Sequence, residues 1–302
     1  MNKIVLLGAD GQVGWELQRS LAPLGQLVVC NRQRADLSDL EGLDRLVRDE
    51  RPNIIVNAGA YTAVDKAESA IDTARRINAE AVATLAKAAR EIDAWLVHYS
   101  TDYVFDGSGD APFNEDATTA PLSVYGLTKL EGEEAIRASE CRHLIFRTSW
   151  VYAARGGNFA KTILRLAKER EELRVIADQI GAPTSAELIA DVTSLVLQRI
   201  LQDLALHDRV AGTYHLVASG ETSWHNYAQF VIREAIRLGI QLRTAPEKVA
   251  PITTSEYPLP AKRPANSRLS NTKLQNTFDI LLPDWEYHVQ RMIRELADQG
   301  SI

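Results

Sequence analysis

The stretch "VLLGADGQVG", Val5–Gly14, carries Gly8, Gly11 and Gly14 directly after an apolar run and directly before a helical pattern. A strand that ends in closely spaced glycines and turns into a helix is the entry to a βαβ unit that binds a dinucleotide. Glycine permits the tight turn and lets backbone approach a pyrophosphate; the helix N-terminus adds unbonded N–H groups and a positive dipole end. The spacing is G-x-x-G-x-x-G rather than the commoner G-x-G-x-x-G. A strand-to-helix turn needs the same glycines for packing alone, so the rest of the chain has to decide.

The rest alternates in the same way. Ile4–Leu7 reads as a strand, Trp15–Ala22 as a helix, Leu27–Cys30 as a second strand and Ala35–Leu37 as a short third strand or a loop. Leu40–Glu50 is a helix halted before Pro52, "NIIVNAGA" (53–60) a strand, Ile77–Arg90 an Ala-rich helix and Trp95–Ser100 a strand. Ser123–Ala138 is a helix; "HLIFRTSWVY" (143–152) and "LRVIADQ" (173–179) are strands separated by a helix at Asn158–Lys168. Strands alternating with helices of this length predict an α/β, Rossmann-type doubly wound parallel sheet covered on both faces. After about Ala211 the pattern loosens, Pro246, Pro251, Pro258, Pro260 and Pro264 fall close together, and a last helix runs over about Trp285–Gln299. The expected division is a dinucleotide-binding domain over 1–210, with a helical excursion near 155–170 that need not belong to it, and a smaller C-terminal substrate-binding lobe over 211–302.

Composition narrows the partners. The 302 residues are 45% hydrophobic and 25% charged, with a net charge of −6. That balance offers no electrostatic footprint for nucleic acid or an anionic membrane. Cys30 and Cys141 both sit in apolar runs, which fits buried thiols better than a disulfide or a metal site. No apolar run approaches the roughly 18 residues of a membrane span. The N-terminal run "IVLLGA" is short for a signal-peptide core and meets Asp10 at once, so a cytoplasmic protein is expected.

Cofactor choice should show after the second strand, where an acid would favour NAD. Asn31 and Arg32 stand there, with no acid before Asp36. Arg32, with Arg34, can meet a 2′-phosphate, so NADPH is favoured, with NADH as an accepted alternative; a solvated loop arginine is the competing reading. Asp36 and Leu37 are candidates for the adenine edge, and the small residues around Ala60, Tyr61 and Thr62 for close backbone approach.

The segment "LSVYGLTKLEGEE", Leu122–Glu134, holds Tyr125 and Lys129. Residues four apart share a helix face. Chance gives roughly 0.3 such pairs in a chain of this composition, so the pair alone settles nothing. A nearby ammonium would lower the tyrosine pKa from about 10 and make Tyr125 a proton donor to a carbonyl oxygen. Thr101, at the end of the "HYSTDYVFDG" strand, supplies a hydroxyl at the edge where open α/β sheets bind ligands; alternation should aim Ser100 elsewhere. Glycine turn, strand-end threonine and Tyr-x-x-x-Lys, in that order, point to a nicotinamide-dependent oxidoreductase.

On these motifs the chain resembles the extended short-chain dehydrogenase/reductases, and within them the branch that reduces dTDP-4-dehydrorhamnose. "NAGAYTAVDKAE", "YGLTKLEGE", "RTSWVY", "NFAKTILRLAKE", "DQIGAPTSAELIAD", "GTYHLVASGETSW" and "RPANSRL" carry the likeness over most of the chain. The resemblance implies a Thr101–Tyr125–Lys129 triad and cofactor contacts from Gly11, Gln12 and Val13, from Asp36 and Leu37, from Ala60 to Thr62, and from Tyr99. It implies that Trp150 borders a dTDP-sugar, with Asp102 also at the substrate. It further implies a homodimer with magnesium at the interface, on Glu16, Glu187 and Glu295; read from residues alone, these are solvated helix glutamates. Lys262, Arg263 or Arg268, the densest basic patch of the second lobe, is expected to meet the diphosphate. The rival readings are an epimerase or dehydratase that holds NAD, and a non-catalytic dinucleotide-binding subunit. Thr101 is followed by Asp102 and then Tyr103, so the acidic pair of a dehydratase is incomplete.

Overall fold

Strands β1 (Lys3–Leu7), β2 (Gln26–Cys30), β3 (Ile54–Asn57), β4 (Trp95–Thr101) and β5 (His143–Thr148) form most of a six-stranded parallel sheet in a computed structural model describing residues 2–203, 205 and 207–302. Across the sheet the order is Gly212–His215, β5, β4, β3, β1, β2. The order reverses at β1 and β3, which makes the crevice above them the ligand position of such a sheet.

The strands are apolar on both faces because both faces are covered. Ile4 and Leu6 pack into one layer with Leu17, Leu21 and Val192, while Val5 and Leu7 pack into the other with Leu43, Val47 and Leu85. Every residue of β3 and β4 is buried. Cys30 and Cys141 are buried free thiols. Among the described residues no helix is long and apolar enough to cross a membrane.

Several expected elements change. Residues 35–37 take the loop of the two expected forms, while the first helix starts at Gln12 rather than Trp15 because the glycine turn is that tight. "HLIFRTSWVY" breaks into β5 and Val151–Tyr152, with Trp150 between them in the left-handed region at φ 49. Leu173–Ile176 lies outside the main sheet, parallel to Val249–Ile252, and Gly212–His215 lies inside it, beside β5. The expected boundary at 210/211 therefore cuts across the strand pairing: the chain leaves the main sheet after β5, returns for its sixth strand, and leaves again.

Candidate active site

A cleft of about 760 Å³ opens at the carboxyl ends of β1, β3, β4 and β5. One wall is the glycine turn. Gly8 has φ 75 and a Cβ there would stand 2.4 Å from Gly59 N, while a Cβ on Gly14 would stand 2.1 Å from Gly8 O. Glycine alone fits both positions. Helix Gln12–Leu21 has no side-chain cap, which leaves N–H groups of its first turn available beside the cleft. Gly8, Gly11, Gln12 and Val13 line the cleft; Gly14 sits behind them.

Ala60 and Thr62 line the facing wall. Their loop is held by Asn78, whose Oδ1 accepts the Tyr61 N–H (2.8 Å) and whose Nδ2 donates to Tyr61 O (3.1 Å) and Thr128 Oγ1 (3.2 Å). Asn78 lies in a π turn, Arg76–Glu80, a distortion frequent at functional sites. Thr128 belongs to helix Val124–Ala138, which carries Tyr125 and Lys129. One buried carboxamide thus ties the Ala60–Thr62 loop to the Tyr–Lys helix.

That helix is capped by Ser123, whose Oγ accepts the Gly126 N–H at 3.2 Å. Thr101, Tyr125 and Lys129 all line the cleft, with Tyr99, Asp102 and Trp150. Thr101 Oγ1 accepts the Tyr103 N–H (3.2 Å) and donates to Asp102 Oδ1 (3.1 Å). Burial pushes Tyr125 up to about 12, against a hydrogen bond with Thr101 that lowers it. Against expectation Tyr125 stands above its ordinary value, and Lys129 Nζ turns toward β4. It donates to Tyr99 O at 2.6 Å and meets His98 Nε2 at 3.0 Å. Burial pushes Lys129 itself down to about 8, opposed by Glu133.

Burial also pushes Asp102 up to about 6, against the lowering influence of the Ser267 and Thr101 hydroxyls. Asp102 Oδ2, Gln12 Oε1 and Thr148 Oγ1 are buried with no hydrogen-bond partner. Unpaired polar atoms on the wall of a cleft are groups a ligand would satisfy. Together with the glycine cradle they fit a dinucleotide. Thr148, Ser149, Asp10 and Tyr103 also line the cleft and were missed from sequence. The polar strand end of "RTSWVY" is the signal that could have found the first two.

Other expected cofactor contacts lie beside the cleft. Arg32 lines its edge, largely exposed, 3.2 Å from Asp36. Asp36 accepts Ser38 N–H and Oγ–H at 2.8 Å each, which holds its carboxyl below the usual range. Asn31 Oδ1 accepts the Arg34 N–H at 3.1 Å, and Arg34 pairs with Glu50 at 2.9 Å. Leu37 packs toward Gly59, and the buried Tyr61 hydroxyl finds no partner. None of Asn31, Asp36, Leu37 and Tyr61 lines the cleft.

Trp150, which also lines the cleft, stacks on Trp224 at 3.6 Å. Trp224 Nε1 donates to Gln179 Oε1 at 3.2 Å. The basic patch is not open as expected: Arg263 is forked with Asp65, and Arg268 pairs with Glu221 at 2.8 Å. Carboxylates distant in sequence answer these guanidiniums; Lys262 is exposed.

Glu16, Glu187 and Glu295 do approach one another. Burial raises the Glu16 carboxyl, Arg19 lowers it, and Glu187 and Glu295 raise it further. Yet both Glu187 carboxylate oxygens are 2.9 Å from Arg291 Nε. Among the described residues no group of three or more His, Cys, Asp or Glu is placed to hold a metal. Within one chain these glutamates do not fit a magnesium site.

A parallel sheet with a glycine cradle and Thr, Tyr and Lys converging at its carboxyl edge defines a nicotinamide-dependent oxidoreductase of the short-chain dehydrogenase/reductase type. A family model described as the RmlD substrate binding domain matches residues 1–298. The dTDP-4-dehydrorhamnose reductases of Escherichia coli K12 and Shigella flexneri are 56% and 55% identical over 303 residues, covering 99% of this chain and 99% of each relative. The solved structure of the Bacillus anthracis dTDP-4-dehydrorhamnose reductase in complex with NADP matches with a TM-score of 0.85 at 32% identity, covering 97% of this chain and 99% of that one. The chain belongs to the dTDP-4-dehydrorhamnose reductase family.

Proposed function

We propose that this chain reduces the 4-keto group of dTDP-4-dehydro-L-rhamnose to dTDP-L-rhamnose, with the proton coming from Tyr125. Bound NADPH supplies the hydride. The glycine turn and the first turn of helix Gln12–Leu21 hold the pyrophosphate, with Arg32 at the ribose phosphate. Thr101 Oγ1 and Tyr125 Oη bind the ketone oxygen, and Tyr125 delivers its proton as charge develops there. Lys129, one turn further on and lining the same cleft, would hold the nicotinamide ribose. The cofactor carries the redox chemistry; the protein supplies position and electrostatics.

The observation that carries this reading is that Thr101, Tyr125 and Lys129 line one cleft with the glycine cradle. The test is NADPH consumption with dTDP-4-dehydrorhamnose, for the wild type and for Tyr125→Phe. Turnover surviving in the variant would end the assignment of Tyr125.

The sugar nucleotide is assigned to the far side of the cleft, against Trp150 and the lobe that contains the paired strands Leu173–Ile176 and Val249–Ile252. A homodimer is part of the same proposal. Trp15, Leu195 and Tyr287 are exposed apolar side chains on the three helices that carry Glu16, Glu187 and Glu295. Magnesium is carried only as an ion shared between two copies; sedimentation with and without a chelator tests both ideas. A cytoplasmic setting completes the proposal and agrees with two unpaired cysteines.

A further inference from the structure

The contacts of Lys129 continue past the cleft. His98, which Lys129 Nζ meets at Nε2, has its Nδ1 3.2 Å from Asn57 Nδ2. Asn57 Oδ1 in turn accepts the Gly59 N–H at 3.2 Å. Asn57, His98 and Lys129 are each 1% exposed, so water cannot repair a mismatched donor or acceptor among them.

Hydrogens along this chain can be assigned from its fixed end. Gly59 N–H can only donate, so the Asn57 atom facing it is the oxygen. Asn57 Nδ2 then faces His98 with nothing but hydrogens to offer, and Nδ1 has to be bare. A neutral imidazole carries one N–H. That hydrogen falls on Nε2 and points at Lys129 Nζ, which must receive it on a lone pair. An ammonium at Nζ would need Nε2 bare and a proton on Nδ1, opposite the Asn57 amide hydrogens. Relief would require the amide to turn over and release Gly59, whose backbone abuts Gly8 of the cofactor turn. Burial works in the same direction, holding His98 well below the usual imidazole range and Lys129 at about 8.

We infer that His98, oriented by Asn57, is a positioning residue for the reaction: its Nε2–H donates to Lys129 Nζ and favours the amine of that side chain over the ammonium. The inference rests on Tyr125 and Lys129 being the reacting pair. Few other charges bear on Lys129. Glu133, one turn along its helix, is forked with Arg147 of β5 and also paired with Arg137. β3 carries no titratable side chain; Tyr125 lies one turn back on the same helix face, and Tyr99, Asp102 and Tyr103 share the cleft with Lys129.

The tautomer can be read directly by nitrogen NMR of isotope-labelled histidine in the full-length protein at about pH 9, above the Lys129 ionisation. The His98 signals are assigned by their loss in His98→Gln. Protonated Nε2 with bare Nδ1 is expected, and protonated Nδ1 would overturn the inference. Two variants give a kinetic reading. Gln at 98 offers a carbonyl to Asn57 and an N–H to Lys129, keeping the direction of the chain, whereas His98→Leu offers neither. The alkaline limb of kcat/KM for NADPH should hold its place in His98→Gln and move up by about half to one pH unit in His98→Leu. Limbs that coincide in the two variants would leave His98 a structural residue and overturn the role. Tyr125→Phe separates this inference from the reading beneath it, since it should lose turnover and keep the tautomer. Turnover that survived there would remove the catalytic reading, and with it the catalytic role of His98.

Discussion

Arg263 and Asp65 are joined by two parallel hydrogen bonds, Nη1 to Oδ1 at 3.0 Å and Nη2 to Oδ2 at 2.8 Å. Asp65 belongs to the short helix Val64–Ala67 beside the cofactor loop, and Arg263 to the proline-rich loop of the second lobe. Asp65 Oδ1 also accepts the Ala261 N–H at 3.2 Å. The fork pins the loop against the segment that contributes Val64 to the cleft. Asp65→Asn or Arg263→Met should raise KM for the sugar nucleotide roughly tenfold and leave NADPH affinity within about twofold. Stability should fall by about 1 kcal/mol or less, since the pair is partly exposed. Equal losses for both ligands would mean that the fork supports the fold rather than the substrate loop.

Tyr125→Phe removes one hydroxyl from the wall of the cleft and keeps the ring. A fall in kcat of about 10²- to 10⁴-fold is expected, the usual weight of a general acid. NADPH titration by fluorescence should give nearly the wild-type affinity.

Glu133 and Arg147 make a second fork, at 2.9 and 2.7 Å, with side chains 0% and 3% exposed. Burial alone would raise the Glu133 carboxyl, but Arg147 holds it below its ordinary range. Glu133→Gln leaves an uncompensated buried guanidinium and should cost about 3–5 kcal/mol in urea unfolding. Glu133→Leu combined with Arg147→Met should recover much of that loss. If it does not, the pair holds the fold by more than charge matching.

Acid should destabilise the protein from near neutrality. Burial, and then the Arg147 charge, push His215 down to about 3 from 6.5. Between those values the unfolded chain binds a proton at this site and the folded chain does not. Stability from this site is therefore complete above about pH 6.5 and declines as pH falls, by about 1.4 kcal/mol per unit. His98 acts in the same sense. In His215→Leu the decline between pH 7 and about 5 should lose one proton's worth of slope. Urea midpoints across that range decide it, and a slope equal to wild type would refute the assignment.

Asn78→Ala would orphan Tyr61 N–H and Tyr61 O and leave Thr128 Oγ1 with only its bond to Tyr125 O. A loss of about 2–3 kcal/mol is expected, with NADPH affinity falling more than the catalytic rate at saturation. Unchanged NADPH binding would show that the cofactor loop does not depend on this anchor.

Local patterns were legible in the sequence and distant pairings were not. The glycine turn, β1, β3, β4 and the Tyr125–Lys129 spacing each depend on neighbours a few residues away, and each reads from its own segment. Leu173–Ile176 looked like another main-sheet strand because an apolar tetrapeptide does not name its partner, which is Val249–Ile252. Arg263 and Arg268 looked available because Asp65 and Glu221 are far away in sequence. His98 opens "HYSTDYVFDG" with no local signature of its role. What marks it is its place in the middle of a wholly buried strand, with the asparagine closing "IIVN" on the adjacent strand. Their meaning depends on register, since Asn57 pairs with His98 across β3 and β4.

The return of Gly212–His215 to the edge of the main sheet has a consequence for biosynthesis. A nascent chain cannot close its β-sheet until more than two-thirds of its length has been made, and the Leu173–Ile176 strand waits longer still for Val249–Ile252. Until then β5 presents an open edge, the kind of surface that recruits chaperones or stray strands. Fragments that stop short of this segment should therefore aggregate rather than accumulate as a free-standing nucleotide-binding half.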